Sequence, residues 1–243
     1  VSRVVRIERR VCVLARSVAF YAGALGFSAS APAGAAAAVL RRGEDVLVLR
    51  EGGSAEDLSA CDQGFQHIAL PVTDMAAAMA RLAAFAPRMI SVGGAQVLPP
   101  SSGGVTAVKF RDPDGLPVEF LRFPDGRAGG IDHSAMVVAD VARSIAFYQV
   151  RLGLRVVARQ VNAGVAQDRL DGLDGVEVDV VALAAEVATP HVELLGYRRP
   201  PVLARAHGRV SATRLVVEGA GATGVLSDPD GHDVEILGRS GAG

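Results

Sequence analysis

One phrase in this chain occurs twice. Gln66-His67-Ile68-Ala69-Leu70-Pro71-Val72-Thr73-Asp74 returns as Asp132-His133-Ser134-Ala135-Met136-Val137-Val138-Ala139-Asp140, and each copy leads into an Ala-bearing helical stretch. Such a repeat constrains the fold more than any bulk property, because a small unit used several times buries its apolar faces against its own copies. Two further phrases extend the pattern. Arg16-Ser17-Val18-Ala19-Phe20-Tyr21 with Leu25-Gly26 matches Arg143-Ser144-Ile145-Ala146-Phe147-Tyr148 with Leu152-Gly153, so the first and third segments are copies. Arg111-Asp112-Pro113-Asp114-Gly115 with Val118-Glu119-Phe120 matches Ser227-Asp228-Pro229-Asp230-Gly231 with Val234-Glu235-Ile236, so the second and fourth are copies too.

Within a segment, the alternating residues Ile68, Leu70 and Val72 make a strand ending at Asp74, which can cap a helix over Met75 to Phe85. Asp112-Pro113-Asp114-Gly115 has turn chemistry: Pro presets one dihedral and Gly allows a positive one, so it joins two antiparallel strands. The order strand, helix, then two or three strands fits modules at 1–62, 63–127, 128–200 and 205–240, an α+β chain. The Gly- and Pro-rich joints at Gly126 to Gly130 and Arg198 to Pro201 are the expected boundaries, with domains 1–127 and 128–243. The fourth module is short. Gly219-Ala220-Gly221-Ala222 stands where a helix belongs, so either the module has lost a helix and a strand or residues are missing from the sequence as written.

Composition excludes several partners. With 243 residues, 50% hydrophobic, and a formal charge of −1, the chain reads as soluble and globular, able to bury one large core or two modest ones. Lys109 is the sole lysine and the arginines are scattered, so there is no basic stripe for nucleic acid. No apolar run approaches the roughly 20 residues that span a bilayer, and no secretion signal is evident, which together with the lone Cys12 and Cys61 as buried thiols points to the cytoplasm.

Strand parity selects the candidate ligands. If Ile68, Leu70 and Val72 face the helices, His67 faces the other way; the same parity sends His133, Glu119 and Glu193 away from the helix side of their sheets. Imidazole and carboxylate suit Zn, Ni, Mn, Co or Fe(II). His191 shares the parity of Glu193 but falls at the strand's solvent end; His207 lies in an exposed joint and His232 just past a turn, both structural positions. Phe20, Tyr21, Phe147 and Tyr148 sit at core positions of helices. Arg9 and Arg10 break the apolar alternation of the first strand, and Val13 replaces the capping Asp of the other modules.

On these motifs the chain resembles the vicinal oxygen chelate superfamily, which includes glyoxalase I, fosfomycin-resistance enzymes, methylmalonyl-CoA epimerases, bleomycin-binding proteins and extradiol dioxygenases. The resemblance covers nearly the whole length. It implies tandem βαβββ modules whose mixed sheets pair into two U-shaped troughs with helices outside. It also implies metal ligands on the first and last strands of both modules in a pair. Position by position, the first module supplies Arg6 and Leu47, the second His67 and Glu119, the third His133 and Glu193, the fourth Ala212 and Glu235. Pairing two with three, and one with four, would gather His67, Glu119, His133 and Glu193 around one divalent ion and leave a dead counterpart. Pairing three with four would give His133, Glu193 and Glu235 with a gap at Ala212.

The first set is similar to the bacterial glyoxalase I pattern and implies a metal-dependent isomerase or lyase acting on a small molecule with adjacent oxygens, with Glu193 or Glu119 as base. No glutathione-binding arginine set accompanies it. An extradiol dioxygenase, with Fe(II) on two His and one carboxylate, is the runner-up, although Val225 and Ala212 stand where that group has Tyr and His. A metal-free binding or resistance protein needs only the trough. A small-molecule ligand and a monomer or homodimer complete the expectation.

Overall fold

The computed structural model describes residues 2–32, 36–185, 189–205, 210–219 and 223–238; the reading of His207 lies outside them. The first module runs β1 (Arg3–Val11), α1 (Leu14–Gly23), β2 (Ser28–Pro32), β3 (Ala37–Arg42) and β4 (Asp45–Glu51). The second has β5 (Gln66–Pro71), α2 (Met75–Ala83), β6 (Arg88–Met89), β7 (Gln96–Val97), a 3-10 turn at Pro100–Ser102, β8 (Thr106–Arg111) and β9 (Pro117–Arg122). The third has β10 (His133–Val137), α3 (Val141–Leu152), β11 (Arg155–Ala163), α4 (Val165–Asp171), β12 (Glu177–Ala184) and β13 (His191–Arg199). The fourth keeps only β14 (Thr213–Gly219), β15 (Gly224–Ser227) and β16 (Asp233–Gly238), with no helix among its described residues. No described helix is long and apolar enough to cross a membrane.

The capping residues act as their chemistry dictates. Asp74 and Asp140 accept from the backbone N–H of Ala77 and Arg143, each at 3.0 Å, whereas Val13 offers α1 no side-chain cap. Helix α2 stops two residues short of Phe85 because Ala86 takes a positive φ of 46° ahead of Pro87, a conformation no helix continues through. Cys12 and Cys61 are free thiols, Cys61 buried and Cys12 half-buried.

Two mixed sheets result, and they follow the exchanged pairing. The order β11-β12-β13-β10-β5-β9-β8-β6, with β7 on β8, joins modules two and three; β15-β16-β14-β1-β4-β3-β2 joins four and one. Each half of the sequence, 1–127 and 128–243, therefore gives one module to each sheet. At the seam β5 and β10 run antiparallel with His133 opposite Ala69 and Ala135 opposite His67, so each imidazole faces a methyl group and has room across the seam. The helix-side residues of both sheets, Ile7, Leu47, Ile68, Leu70, Met136, Leu194 and Leu215 among them, form one buried core.

The duplicated phrases outside the His strands prove to be locks between the sheets. On α1, Ser17 and Tyr21 donate to Asp114 and Asp112 of the β8–β9 turn, both at 2.8 Å. On α3, Ser144 and Tyr148 donate to Asp230 and Asp228 of the β15–β16 turn at 3.0 and 3.1 Å. Helix α1 packs on β2, β3 and β4, so each lock carries a helix of one sheet onto a turn of the other. Arg9 is a third tie. Its side chain points into the core rather than the trough, donating to Tyr21 Oη and to the carbonyls of Gln66 and Pro117 in the other sheet.

Candidate metal centre

Three of the four anticipated side chains converge directly. His67 Nε2 lies 3.1 Å from Glu119 Oε2 and 3.3 Å from His133 Nε2, and His133 Nε2 lies 3.6 Å from the same Glu119 oxygen. Parallel pairing of β5 with β9 and of β10 with β13 brings Glu119 level with Ala69 and Glu193 level with Ala135, two residues beyond each histidine on the same face. Glu193 touches His133 Nε2 at 3.5 Å but falls outside the compact group of His67, Glu119 and His133. It is the looser member, its side chain 19% exposed against 6% for Glu119.

The donor set fits a divalent ion. Ligand atoms about 2.1 Å from a common centre lie roughly 3.0 Å apart at right angles and 3.4 Å apart at tetrahedral angles, matching the spacings found. His133 is also oriented as a ligand should be. Its Nδ1 meets Asp132 Oδ2 at 2.9 Å, which fixes the proton there and turns the Nε2 lone pair inward. His67 lacks such a support: its Nδ1 is buried without a partner.

Charge is distributed unevenly. Burial opposes the charged form of His133, but Glu193, Asp132 and Glu119 overcome it and raise the imidazole well above its ordinary value. Burial lowers His67, only partly offset by Glu119. Burial would raise Glu119, yet Lys109 and the two imidazoles hold it well below the usual carboxylate range. Glu193 is lowered as well, with His133 and His191 outweighing burial. Without an ion, one proton on His133 thus balances part of the carboxylate charge.

The outer trough corrects two positions. Glu8 of β1 pairs with Val48, and Val216 of β14 pairs with Glu235, so the places equivalent to the four ligands are Arg6, Val48, Arg214 and Glu235. Leu47 is instead a fully buried core residue, and Ala212 precedes the strand. The fourth module has no helix and no capping Asp from which to count, so only strand pairing fixes its register. Arginines replace both histidines. Arg214 meets Glu235 at 3.3 Å, and Arg6 and Arg50 meet Glu8 at 2.8 and 3.0 Å, so internal ion pairs line this trough around a smaller cavity of about 280 Å³.

The inner trough encloses a cavity of about 740 Å³ with Leu98, Leu121, Phe123, Val178, Val180 and Leu195 among its walls. His191 also reaches it, more deeply than a solvent-end residue: its Nε2 lies 3.4 Å from Glu193 Oε1 and its Nδ1 3.9 Å from Asp132. The residues not singled out from sequence are Asp132, Lys109 and Asp171. Asp132 had a readable signal, since an acid precedes His133 where Gln66 precedes His67.

Fold and site together are those of a paired-module trough protein with a His and Glu group that could hold a metal ion. Residues 3–120 and 130–217 match the model of the Glyoxalase/Bleomycin resistance protein/Dioxygenase superfamily, and the chain belongs to that family. Glyoxalase I from Zea mays matches at 16% identity and a TM-score of 0.68, over 98% of this chain and 92% of that one. A proposed dioxygenase from Bacillus subtilis matches at 13% identity and a TM-score of 0.61, over 98% and 86%. At these identities the likeness is one of fold. No curated protein matches the sequence.

Proposed function

We propose that the chain is a divalent-metal-dependent enzyme acting on a small oxygen-bearing molecule, of glyoxalase-like isomerase or lyase type. The observation that carries this reading is the meeting of two imidazole Nε2 atoms and one carboxylate oxygen at 3.1 to 3.6 Å, contributed by two different modules. His67, His133 and Glu119 would hold the ion. When bound, it would supply Lewis acidity at a substrate oxygen.

The remaining steps belong to the protein. Glu193, outside the compact group of His67, Glu119 and His133 and partly exposed, is the group free to take a proton from substrate carbon on Oε2 and return it. His191, 3.4 Å from that carboxylate and itself in the cavity wall, can exchange the proton with it. Glu119, wedged between both imidazoles, is less suited to move and serves as ligand. The apolar walls orient the substrate and keep water from the proton being transferred.

Elemental analysis of protein purified without chelator tests the reading. One ion per chain is expected; less than about 0.1, with no uptake of Ni, Zn, Mn or Fe(II), would sink it. Ring cleavage is a second reading, favoured by one observation: His67, His133 and Glu119 form a two-His, one-carboxylate set of the kind used by non-haem Fe(II) oxygenases. Oxygen uptake with catechols in the Fe(II)-loaded protein decides for it. A trough that binds apolar compounds tightly and takes up no metal would make the chain a carrier instead.

A further inference from the structure

The chain has 25 lysines and arginines, and Lys109 is the only lysine among them. A lone lysine without a task belongs at the surface, where its ammonium stays hydrated. Lys109 is 4% exposed and lies in the cavity wall, on β8 directly opposite Glu119 of β9. Its Nζ donates to Asp171 Oδ1 at 2.6 Å, and among the described residues Asp171 is its one hydrogen-bond partner. The other oxygen of that carboxylate accepts from Gln167 Nε2 and Tyr197 Oη, both at 2.8 Å. Asp171 is thereby held by α4 and β13 together, and it holds the ammonium in turn.

Stability does not account for this pair. A buried Lys–Asp pair rarely gains over apolar side chains of the same volume, and the cavity around it is mostly apolar. The choice of lysine is informative too, in a chain that otherwise carries its permanent positive charges on arginine. A guanidinium would spend its fork on Asp171, whereas an ammonium donates one proton there and keeps two. Lys109 lines the cavity and stands opposite Glu119 in the strand pairing, which leaves those two for a ligand there.

We propose that Lys109 is a substrate-binding group whose ammonium holds an oxygen that carries or develops negative charge, a carboxylate or an enolisable carbonyl, on a mainly apolar molecule in the trough. This rests on the reading of the trough as a small-molecule site and names the substrate chemistry it selects. Lys109 then takes one end of the developing charge while the His and Glu cluster lies beside the other.

The single lysine permits a direct test. Protein labelled with [ζ-15N]lysine has one side-chain ammonium signal, and 2-naphthoate and 2-acetylnaphthalene are the probes, one a carboxylate and the other a neutral carbonyl. A saturable shift of the signal, with a midpoint equal to that of the probe's fluorescence titration, is expected for at least one of them, and which one responds tells carboxylate from carbonyl. The double variant Lys109→Met/Asp171→Asn removes both charges together, so none is left buried alone. It should bind the responding probe about 10- to 100-fold more weakly, the loss of one charge-assisted hydrogen bond. Saturable binding with a motionless ammonium signal, unchanged affinity in the double variant, or no saturable binding of either probe overturns the proposal; if the double variant does not fold by circular dichroism, the wild-type signal decides alone. Metal content measured on the same samples reads the enzyme proposal separately, since a responsive Lys109 in metal-refusing protein fails only the latter.

Discussion

The sharpest test of the candidate centre is Asp132→Asn, because it makes one histidine resemble the other. His133 has its Nδ1 fixed by Asp132 at 2.9 Å, while His67 Nδ1 has no partner. The substitution replaces an anionic acceptor by a neutral amide of the same size, leaving all proposed ligands in place. Arg127, which lies 3.4 Å from Asp132, is half exposed and stacks on Phe123, so its charge stays hydrated and the fold is not put at risk. Outer partners of metal-bound histidines are worth about 10- to 100-fold in affinity, or roughly 1.4 to 2.7 kcal/mol. The pH dependence adds a sign. Metal must displace the proton of His133, whose raised pKa extends that competition upward; below it, affinity falls tenfold per pH unit. Asp132 is one of the groups raising it, so the variant's competition begins at lower pH. The deficit is therefore full in alkaline solution and narrows on acidification. Competition against a zinc-binding dye across pH measures both. A loss under about 3-fold at alkaline pH, or a deficit that widens in acid, refutes the account of how His133 is oriented.

Three other outcomes follow from the same geometry. His67→Ala and His133→Ala should each abolish metal uptake, because the two residues face one another across the seam, whereas Arg6→Ala and Arg214→Ala should leave one ion per chain by elemental analysis. Arg9→Met removes the donor that serves Tyr21 Oη and two carbonyls of the other sheet and takes the neighbouring cation from buried Asp112, and thermal or denaturant unfolding should show a loss of about 3 to 5 kcal/mol. Gly115→Ala places a Cβ against the Glu56 carbonyl at a φ of +88°, and the same melts should record a loss of at least about 2 kcal/mol.

Much of this architecture is legible in the sequence, and the parts that are not share a cause. Strand alternation identifies which face His67, His133, Glu119 and Glu193 occupy, and the caps at Asp74 and Asp140 are local chemistry, so both could be read residue by residue. Pairing is not local. The sequence left open whether module two meets module three or three meets four, since the β5–β10 contact is made by backbone pairing and by polar contacts, such as Ser134 donating to the His67 carbonyl, that no repeated phrase marks. Register in the fourth module failed for the same reason, placing Ala212 where Arg214 belongs. Lys109 was visible as a composition fact and invisible as a site residue, because its partner Asp171 lies on α4, a seven-residue helix between β11 and β12 that the repeat does not contain.

The locks explain why the halves of the sequence and the sheets of the structure divide the molecule differently. Modules one and two are held by Ser17 and Tyr21 on Asp114 and Asp112; modules three and four by Ser144 and Tyr148 on Asp230 and Asp228. Strand pairing instead joins two to three and one to four. Every module is thus tied to one partner by side chains and to another by backbone, and none is free to leave. The consequence for chemistry is an asymmetry the repeats alone would not suggest. A trough needs its His and Glu only to bind metal, but the turn that positions Glu119 also docks α1, and the turn before Glu235 also docks α3. In the outer trough, with Arg6, Val48 and Arg214 at the ligand positions, the Asp-Pro-Asp-Gly turn ahead of Glu235 keeps its second role of docking α3. The outer trough thus has the turn and the Glu in the same arrangement as the inner one but arginines at both histidine positions, with Arg214 neutralising the Glu235 carboxylate.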